Sequence, residues 1–478
     1  MALISQRTRR GVIGVVVAFL ALGLMNVFVV PPLLPRDESS HVSYALKIAH
    51  GDLPTLDDQN VRGFPHMRTT LPIFTANHPP LLYAIVAVPL EAGIHTHRPI
   101  LGLRMARITS MLFAVATVIG AAVLAALVVP GREDVPVIAA AVVALTPTVP
   151  HTTALVYNDA IGMAASTWLL IAGLWIFRRG ATRRSIALLM AAAAFAALAR
   201  SSSLVALPPA ILLAGFGVRR WRPALEIALL TAGAAALAGG WWYVRNRHLY
   251  GSFLGTGYLP RPDGKPVVKR AYLDVIVDLH IWRYMAGRLW DGFAMSSRLT
   301  PWSGWWGTVV EVPAVVGLAI AAWRAISRRA RPSRDTLVVW GALALFSLTV
   351  FLSVVSFVAV GGNAFARYRF PLMPVAGIVV GLGYGALPRA FAPLALIVVA
   401  VANVGLLHRF VIANGGVPSN AFGTAEAQAL REAGLRGAPV LLVLALLALA
   451  AGIGLAIGAL WGRGYPVGTA ESRATSAA

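Results

Sequence analysis

The chain has 478 residues, of which 58% are hydrophobic and only 13% are charged. Soluble globular proteins carry roughly 25% charged residues, so this composition predicts a polytopic membrane protein. The formal net charge of +22 would indicate nucleic-acid binding only if the basic residues formed one patch, whereas most arginines lie in short runs between apolar segments. Cysteine is absent, which excludes disulfides and thiolate metal sites.

Twelve apolar segments are predicted to cross the membrane, because a span needs about 20 apolar residues and fewer where it is buried among other helices. They lie near 11–32, 100–129, 134–150, 160–177, 185–201, 203–218, 223–244, 309–327, 336–360, 371–387, 390–408 and 438–461. The expected fold is all-α. It consists of one transmembrane domain over 1–461, with interfacial helices in its first long loop, and a disordered cytoplasmic tail over 462–478.

Arginine clusters orient these segments. If twelve helices alternate, the clusters near 7–10, 132, 178–184, 219–222, 324–334 and 389 all fall on one face. By the positive-inside rule that face is the cytoplasm, and both termini lie on it. The other face, expected to be the outer face of a bacterial plasma membrane, receives two long polar segments, loop 1 (33–99) and loop 2 (245–308). Function is therefore predicted to face outward.

Loop 1 is predicted to contain two short helices. Val42, Ala45, Leu46 and Ala49 form one apolar stripe at helical spacing, which is typical of a helix lying flat at the membrane interface. Asp37 is a candidate cap for its start. A second helix is predicted over 80–92, and helix N-termini near Asp37 and His78 would favour phosphate groups.

Five motifs occur in order along the predicted outer face. They read DExxHxxYAxxIAxGxLP from Asp37, NHPPLLYA from Asn77, ND at 158–159, WWYVRN at 241–246 and ARYRFPLMP at 366–374. Together they resemble the GT-C membrane glycosyltransferases, in particular the branch of protein mannosyltransferases and aminoarabinose transferases. The resemblance implies transfer of a sugar from a polyprenyl-phosphate donor to a hydroxyl of an unknown lipid, glycan or protein acceptor.

The resemblance implies three catalytic carboxylates. Asp37 would be the general base that takes the proton from the acceptor hydroxyl, although capping its helix is the alternative reading. Glu38 would contact the sugar or assist Asp37, and it could equally lie in solvent. Asp159 would shape the catalytic cavity, with Asn158 beside it as a substrate contact or a helix cap.

Arg245 and Arg367 are predicted to bind the donor phosphate, because the guanidinium fork matches phosphate oxygens. Both could instead be interface anchors. His78 stands where the aminoarabinose branch has a lysine, and Asn77 replaces the acidic residue before it, so the charge at this position would depend on pH. The remaining predicted substrate-binding residues are His41, Tyr83, Asn246, Trp302 and Tyr368, with a membrane-belt role as the alternative for Trp302.

No cofactor or metal is predicted. Asp37, Glu38 and His41 could bind a divalent metal, but a phosphate leaving group does not require one. The main rival function is a multi-pass transporter or lipid flippase, which would place its binding groups near the membrane midplane. Because most spans are uncharged and no half-to-half similarity is visible, an interfacial enzyme is favoured. A non-catalytic subunit that keeps the fold is a third reading.

Overall fold

The computed structural model describes residues 4–34, 36–61, 64, 70–255, 268–290, 304–329, 331–414 and 421–461. Across these ranges the chain is helical, without strands, and has one isolated β-bridge between Gln59 and Pro72. The helices are α1 Gln6–Val29, α2 Arg36–Ala49, α3 Leu81–His95, α4 Pro99–Val128, α5 Asp134–Leu145, α6 Thr148–Thr153, α7 Asp159–Arg179, α8 Arg183–Ala199, α9 Leu207–Val218, α10 Trp221–Tyr250, α11 Tyr272–Val277, α12 Leu279–Trp290, α13 Gly304–Ser327, α14 Arg334–Ala359, α15 Met373–Tyr384, α16 Phe391–Asn414, α17 Thr424–Glu432 and α18 Ala438–Trp461, with 3₁₀ helices η1 Ser201–Ala206 and η2 Ala366–Leu372.

Nine helices in the described ranges are long and apolar enough to cross a membrane. The all-α, multi-pass prediction is therefore confirmed, whereas the count of twelve spans is not. Each of the twelve apolar segments is helical, but 134–150, 185–201 and 371–387 are occupied by the shorter helices α5, α8 and α15. With 12 residues each, α5 and α15 are about 18 Å long, well short of the roughly 30 Å hydrocarbon core.

The short helices have a local cause and a packing cause. In α5 the chain turns extended at Thr146, whose ψ is 115°, because the next residue is Pro147 and a residue before proline disfavours the helical conformation. Every residue of α5 except Val142 is buried, so the helix is enclosed by neighbours. Its partner α15 approaches closely where Gly377 faces the backbone of Ala139. These helices need not match the thickness of a bilayer.

The first helix of loop 1 is present but enclosed. Residues 38–46 of α2 are all buried, so the helix does not lie open along one face as its apolar stripe predicted. Its polar side chains are bound by the rest of loop 1: the Ser40 hydroxyl lies 2.9 Å from that of Thr75, and the Ser43 hydroxyl accepts from the backbone of Val61. Because α2 begins at Arg36, Asp37 belongs to its first turn and is not the residue before it.

Candidate active site

A fully buried ion pair fixes the start of α2. The Arg107 side chain donates from Nε to Glu38 Oε1 at 2.8 Å and from Nη2 to Oε2 at 2.6 Å. The backbone amides of Leu33 and Val156 also donate to Glu38, one to each oxygen. The four lone-pair positions of the carboxylate are thereby filled, and its side chain is 0% exposed. This placement supports a structural role for Glu38 and leaves no acceptor for a sugar hydroxyl.

Arg107 also ties the end of α1 to the same point. Beyond its two bonds to Glu38, its guanidinium donates to three backbone carbonyls at the end of α1 and just after it, those of Val27, Val30 and Pro31. Helix ends leave their last carbonyls without partners within the helix, so Arg107 satisfies them. One side chain from α4 thus joins the end of α1 to the start of α2.

Asp37 lies next to Glu38 but contacts a different element. Its Oδ2 accepts from Nη2 of Arg367, on η2, at 2.5 Å. Asp159, at the start of α7, lies with Oδ2 3.8 Å from Nε of Arg367 and accepts a close hydrogen bond from Arg200 on its other oxygen. We call Asp37, Arg367, Asp159 and Arg200 the charge quartet. It joins two carboxylates and two guanidinium groups in alternation.

Several buried hydrogen-bond donors in and beside the quartet have no partner. Nε and Nη1 of Arg367 are buried and make no hydrogen bond within the described ranges, and the same holds for the Tyr157 hydroxyl and the Asn158 side-chain amide nitrogen. The Arg367 guanidinium lies 4.9 Å from the centre of the Tyr157 ring. Buried donors without partners are costly and rare in native proteins. This arrangement is suited to an anion such as phosphate.

Arg367 stays charged at this position. Burial alone would lower its pKa, but the carboxylates of Asp37 and Asp159 raise the pKa of Arg367 well above its usual value. Tyr368 borders the two arginines, with its ring centre 5.8 Å from Arg367 and 5.9 Å from Arg200. The site therefore presents two guanidinium groups, those of Arg367 and Arg200, beside aromatic rings.

The second predicted phosphate ligand, Arg245, is not part of this site. A column of five rings separates it from Arg367, in the order Trp242, Tyr44, Tyr83, His41 and Tyr157. Arg245 Nη2 instead donates to the backbone carbonyls of Leu53 and Pro54. Its guanidinium lies 4.6 Å from the centre of the Trp242 ring. It anchors loop 1 against the end of α10, so Asp37 shares its surroundings with Arg367 and not with Arg245.

Two of the three predicted asparagines, Asn77 and Asn246, connect loop 1 with α10 and with the residues just after it. Asn246 donates from its amide to the backbone carbonyl of Asn77 at 2.8 Å, and the Trp242 indole donates to the same carbonyl. The Asn77 amide in turn donates to the carbonyl of Leu254. These bonds hold the NHPP segment in place. Trp302 lies outside the described residues.

The two histidines are neutral near pH 7. Burial, followed by the charge of Arg200, lowers the pKa of His78 to about 3, and burial also holds the pKa of His41 well below its usual range. Nδ1 of His41 lies 3.0 Å from the hydroxyl of Tyr83, a hydrogen bond that joins two predicted substrate-binding residues. Near pH 7, His78 can therefore donate a hydrogen bond but adds no positive charge.

The three residues considered for a metal do not converge. Asp37 contacts Arg367, Glu38 contacts Arg107 and His41 contacts Tyr83. Within the described ranges no group of three His, Cys, Asp or Glu side chains is arranged to hold a metal ion. Asp37, Glu38 and His41 therefore each bind a different side chain.

Sequence reasoning missed Arg107, Arg200 and Tyr157. Arg107 carried a signal, since a charged residue inside an apolar span is usually functional. Arg200 carried another, because it ends a predicted span on the face where the positive-inside rule disfavours arginine. Tyr157 directly precedes the ND motif, but nothing in its spacing indicated that its ring would pack on Arg367.

Comparison with known proteins finds solved structures that resemble this chain over most of its length. No family model and no curated protein matches the chain. ArnT from Cupriavidus metallidurans bound to undecaprenyl phosphate is similar over 94% of this chain and 75% of that chain, with a TM-score of 0.49 and 17% identity. The apo oligosaccharyltransferase of Archaeoglobus fulgidus is similar over 95% of this chain and 56% of that chain, with a TM-score of 0.44 and 13% identity.

The archaeal enzyme is similar in a second state as well. AglB from Archaeoglobus fulgidus, in complex with an inhibitory peptide and a dolichol-phosphate, covers 97% of this chain and 57% of that chain, with a TM-score of 0.42 and 13% identity. ArnT and AglB are both GT-C glycosyltransferases, the class that the sequence motifs resemble. Identities of 13–17% and TM-scores below 0.5 say nothing about the activity of this chain.

Arg107→Met is expected to destabilise the protein by about 3–5 kcal/mol, because it leaves the Glu38 carboxylate buried without its cation. Unfolding in mixed micelles measures the change. Arg104→Met is the matched control, since Arg104 lies one turn earlier on α4, is half-buried and has its guanidinium 5.3 Å from the centre of the Phe28 ring. Equal destabilisation by the two variants would contradict the assigned role of Arg107.

Acid is expected to destabilise the protein partly through His78. The unfolded chain binds this proton near pH 6.5, whereas the folded protein binds it only near pH 3. The unfolded state therefore gains protons first as the pH falls, and stability is lost below about pH 6.5. Melting curves should show a smaller loss between about pH 7 and pH 4 for His78→Gln than for the native chain. The exposed His248→Gln is the control; a matching effect there would refute the assignment.

Proposed function

We propose that the chain is a glycosyltransferase that moves a sugar from a polyprenyl-phosphate donor to a hydroxyl acceptor at the charge quartet. The observation that carries the proposal is Arg367, a buried guanidinium held by Asp37 and Asp159 with Nε and Nη1 free of hydrogen bonds in the described structure. A guanidinium fork with free donors matches phosphate oxygens in geometry and charge.

In the proposed reaction Asp37 acts as the general base. It takes the proton of the acceptor hydroxyl while that oxygen attacks the anomeric carbon of the donor sugar. The bond between this carbon and the phosphate oxygen breaks, and its electron pair leaves with the polyprenyl phosphate. Attack opposite to the departing oxygen inverts the anomeric carbon. The side chain of Asp37 is 14% exposed, so it is reachable from outside the core.

The cations of the quartet stabilise the leaving group. As the bond to carbon breaks, the phosphate gains one negative charge, and Arg367 is placed to offset it through its free donors. The contact of Arg200 with Asp159 supplies the second cation. The Tyr157 hydroxyl and the neutral His78 add hydrogen-bond donors without charge. Asp159 therefore shapes the cavity by holding both arginines.

The orientation proposed for this site is the outer face of the plasma membrane. Asp159 begins α7, whereas Arg178 and Arg179 end it, so the quartet lies at the end of this helix away from its arginine pair. Because arginine-rich loops favour the cytoplasm, the quartet would face outward. A polyprenyl-phosphate sugar and its acceptor would meet there, at the lipid surface.

Asp37→Asn is expected to lower turnover by about 10²–10⁴-fold, because the general base is lost. Purified protein in vesicles is given a panel of polyprenyl-phosphate sugars together with membrane extract as the acceptor source, and release of polyprenyl phosphate is measured. Asp52→Asn, an exposed residue of loop 1, should keep native turnover. Transbilayer movement of the lipid without any release would favour the flippase reading and refute the enzyme.

Arg367→Lys is expected to bind polyprenyl phosphate at least about tenfold more weakly, since lysine keeps the charge but loses the fork. Equilibrium binding to the protein in detergent measures the affinity. Arg245→Lys is the matched control, because Arg245 anchors loop 1 on the far side of the aromatic column. A larger effect at Arg245 than at Arg367 would favour Arg245, the other predicted phosphate ligand, and contradict the site described above.

A further inference from the structure

Two short connections between helices are rich in arginine. The first joins α7 to α8 through residues 180–182, and the second joins α9 to α10 through residues 219–220. Six exposed arginines at these connections form what we call the arginine patch: Arg179, Arg183, Arg184, Arg219, Arg220 and Arg222. No aspartate or glutamate occurs at 178–184 or at 219–222. The positive charge of the patch is therefore not balanced within the two connections.

The fold brings the two connections together. Helices α7 and α9 touch through glycine, since a Cβ atom on Gly217 would lie only 2.7 Å from the Cα atom of Phe177. This contact is two residues away from Arg179 on one helix and from Arg219 on the other. The two connections are therefore neighbours at one end of the helix bundle. It is the end of α7 opposite to Asp159 and the quartet.

The arginines of the patch are not used by the fold. By contrast, Arg178 donates to the backbone carbonyls of Leu127 and Val128 at the end of α4, and Arg132 donates to both carboxylate oxygens of Asp134. Within the part of the chain that the structure describes, the six patch arginines make no hydrogen bond and no ion pair. The positive-inside rule explains arginine on this face, but it requires no clustering. The guanidinium donors of the patch are open to an external anion.

Apolar side chains lie next to the patch, one helical turn deeper in the bundle. Leu188, Phe216 and Leu225 are exposed, and each is three or four residues from a patch arginine. Trp221 is also exposed, with the Arg222 guanidinium 5.4 Å from the centre of its ring. Tryptophan beside basic side chains is typical of the membrane interface. A soluble polyanion would meet only the charges, whereas a phospholipid has a phosphate above apolar chains and matches both layers.

We propose that the arginine patch binds an anionic phospholipid with two phosphodiester groups, of the cardiolipin type. One phosphate contacts the arginines of the α7–α8 connection, and the other contacts those of the α9–α10 connection. The acyl chains lie along the exposed apolar side chains. Arginine forks bind phosphate oxygens through paired N–H groups, and basic clusters between membrane helices commonly recognise such head groups. Because the two phosphates are linked, binding of the first raises the effective concentration of the second.

Lipid binding in detergent tests the proposal, because the orientation of the protein in a membrane then plays no part. The full chain is titrated with cardiolipin and, at equal phosphate concentration, with phosphatidylglycerol, and bound lipid is counted by native mass spectrometry. We expect cardiolipin to bind at least about tenfold more tightly. The double variant Arg183→Gln with Arg184→Gln should lose this preference, and so should Arg220→Gln with Arg222→Gln.

Arg9→Gln with Arg10→Gln is the matched control, since both arginines are exposed at the start of α1, outside the patch. This variant should bind cardiolipin as the native chain does. Equal affinity for the two lipids, or equal weakening by the control, would overturn the proposal, because total charge and not the paired connections would then set the affinity. Tighter binding of an oligonucleotide than of cardiolipin would also overturn it.

The two patch variants change different connections, so either one tests the proposal if the other does not fold. Cooperative melting without added lipid identifies a folded variant. No sugar donor enters these measurements, and they therefore stand or fall independently of the proposed enzyme activity.

Discussion

The buried pair of Glu38 and Arg107 is the interaction on which the candidate site depends. Consecutive residues of an α-helix point about 100° apart, so fixing Glu38 against α4 decides where Asp37 can point. With Glu38 held inward by two guanidinium bonds and two backbone amides, Asp37 is directed toward η2 and Arg367. Removing two charges from water is expensive. Here the cost is offset by hydrogen bonds that fill the carboxylate and also close the end of α1.

Buried hydrogen-bond donors at the quartet have no partner in the described structure. A buried donor without a partner costs about 1–3 kcal/mol, and Arg367 has two such nitrogens. The hydroxyl of Tyr157, whose ring packs on Arg367, and the amide nitrogen of the next residue, Asn158, also lack partners. In the proposed reaction an arriving phosphate would satisfy these donors and compete with Asp37 for the guanidinium. The carboxylate would then be released toward the acceptor hydroxyl. The same contact that holds the base in the free protein would in this way yield to the donor.

Local pattern was enough to predict the helices and the location of the acidic motif. Hydropathy placed each apolar segment, but it could not show that α5 and α15 are too short to span, because their burial depends on neighbours distant in sequence. It also assigned an open apolar face to α2, whose polar side is in fact covered by loop 1. Composition of a single segment carries no information on what packs against its other side.

The arginines show most clearly that sequence pattern does not determine tertiary contacts. Arg245 and Arg367 look alike in sequence, since each lies beside aromatic residues at the end of an apolar segment. Only the fold separates them: Arg367 meets Asp37 across 330 positions of sequence, whereas Arg245 meets loop-1 carbonyls. Arg200 reaches Asp159 in the same long-range manner. Residue type and spacing predicted which kinds of side chain the proposed chemistry needs, and tertiary contacts decide which of them lie together.

In the proposed site, Arg367 holds the donor phosphate beside Asp37. An electron cryomicroscopy structure of the protein bound to a polyprenyl phosphate is the sharpest test of this arrangement. We expect phosphate density within hydrogen-bonding distance of Nε or Nη1 of Arg367, with the Asp37 carboxylate next to it. Phosphate bound elsewhere, with those two nitrogens still lacking a partner and Asp37 still on Arg367, would contradict it.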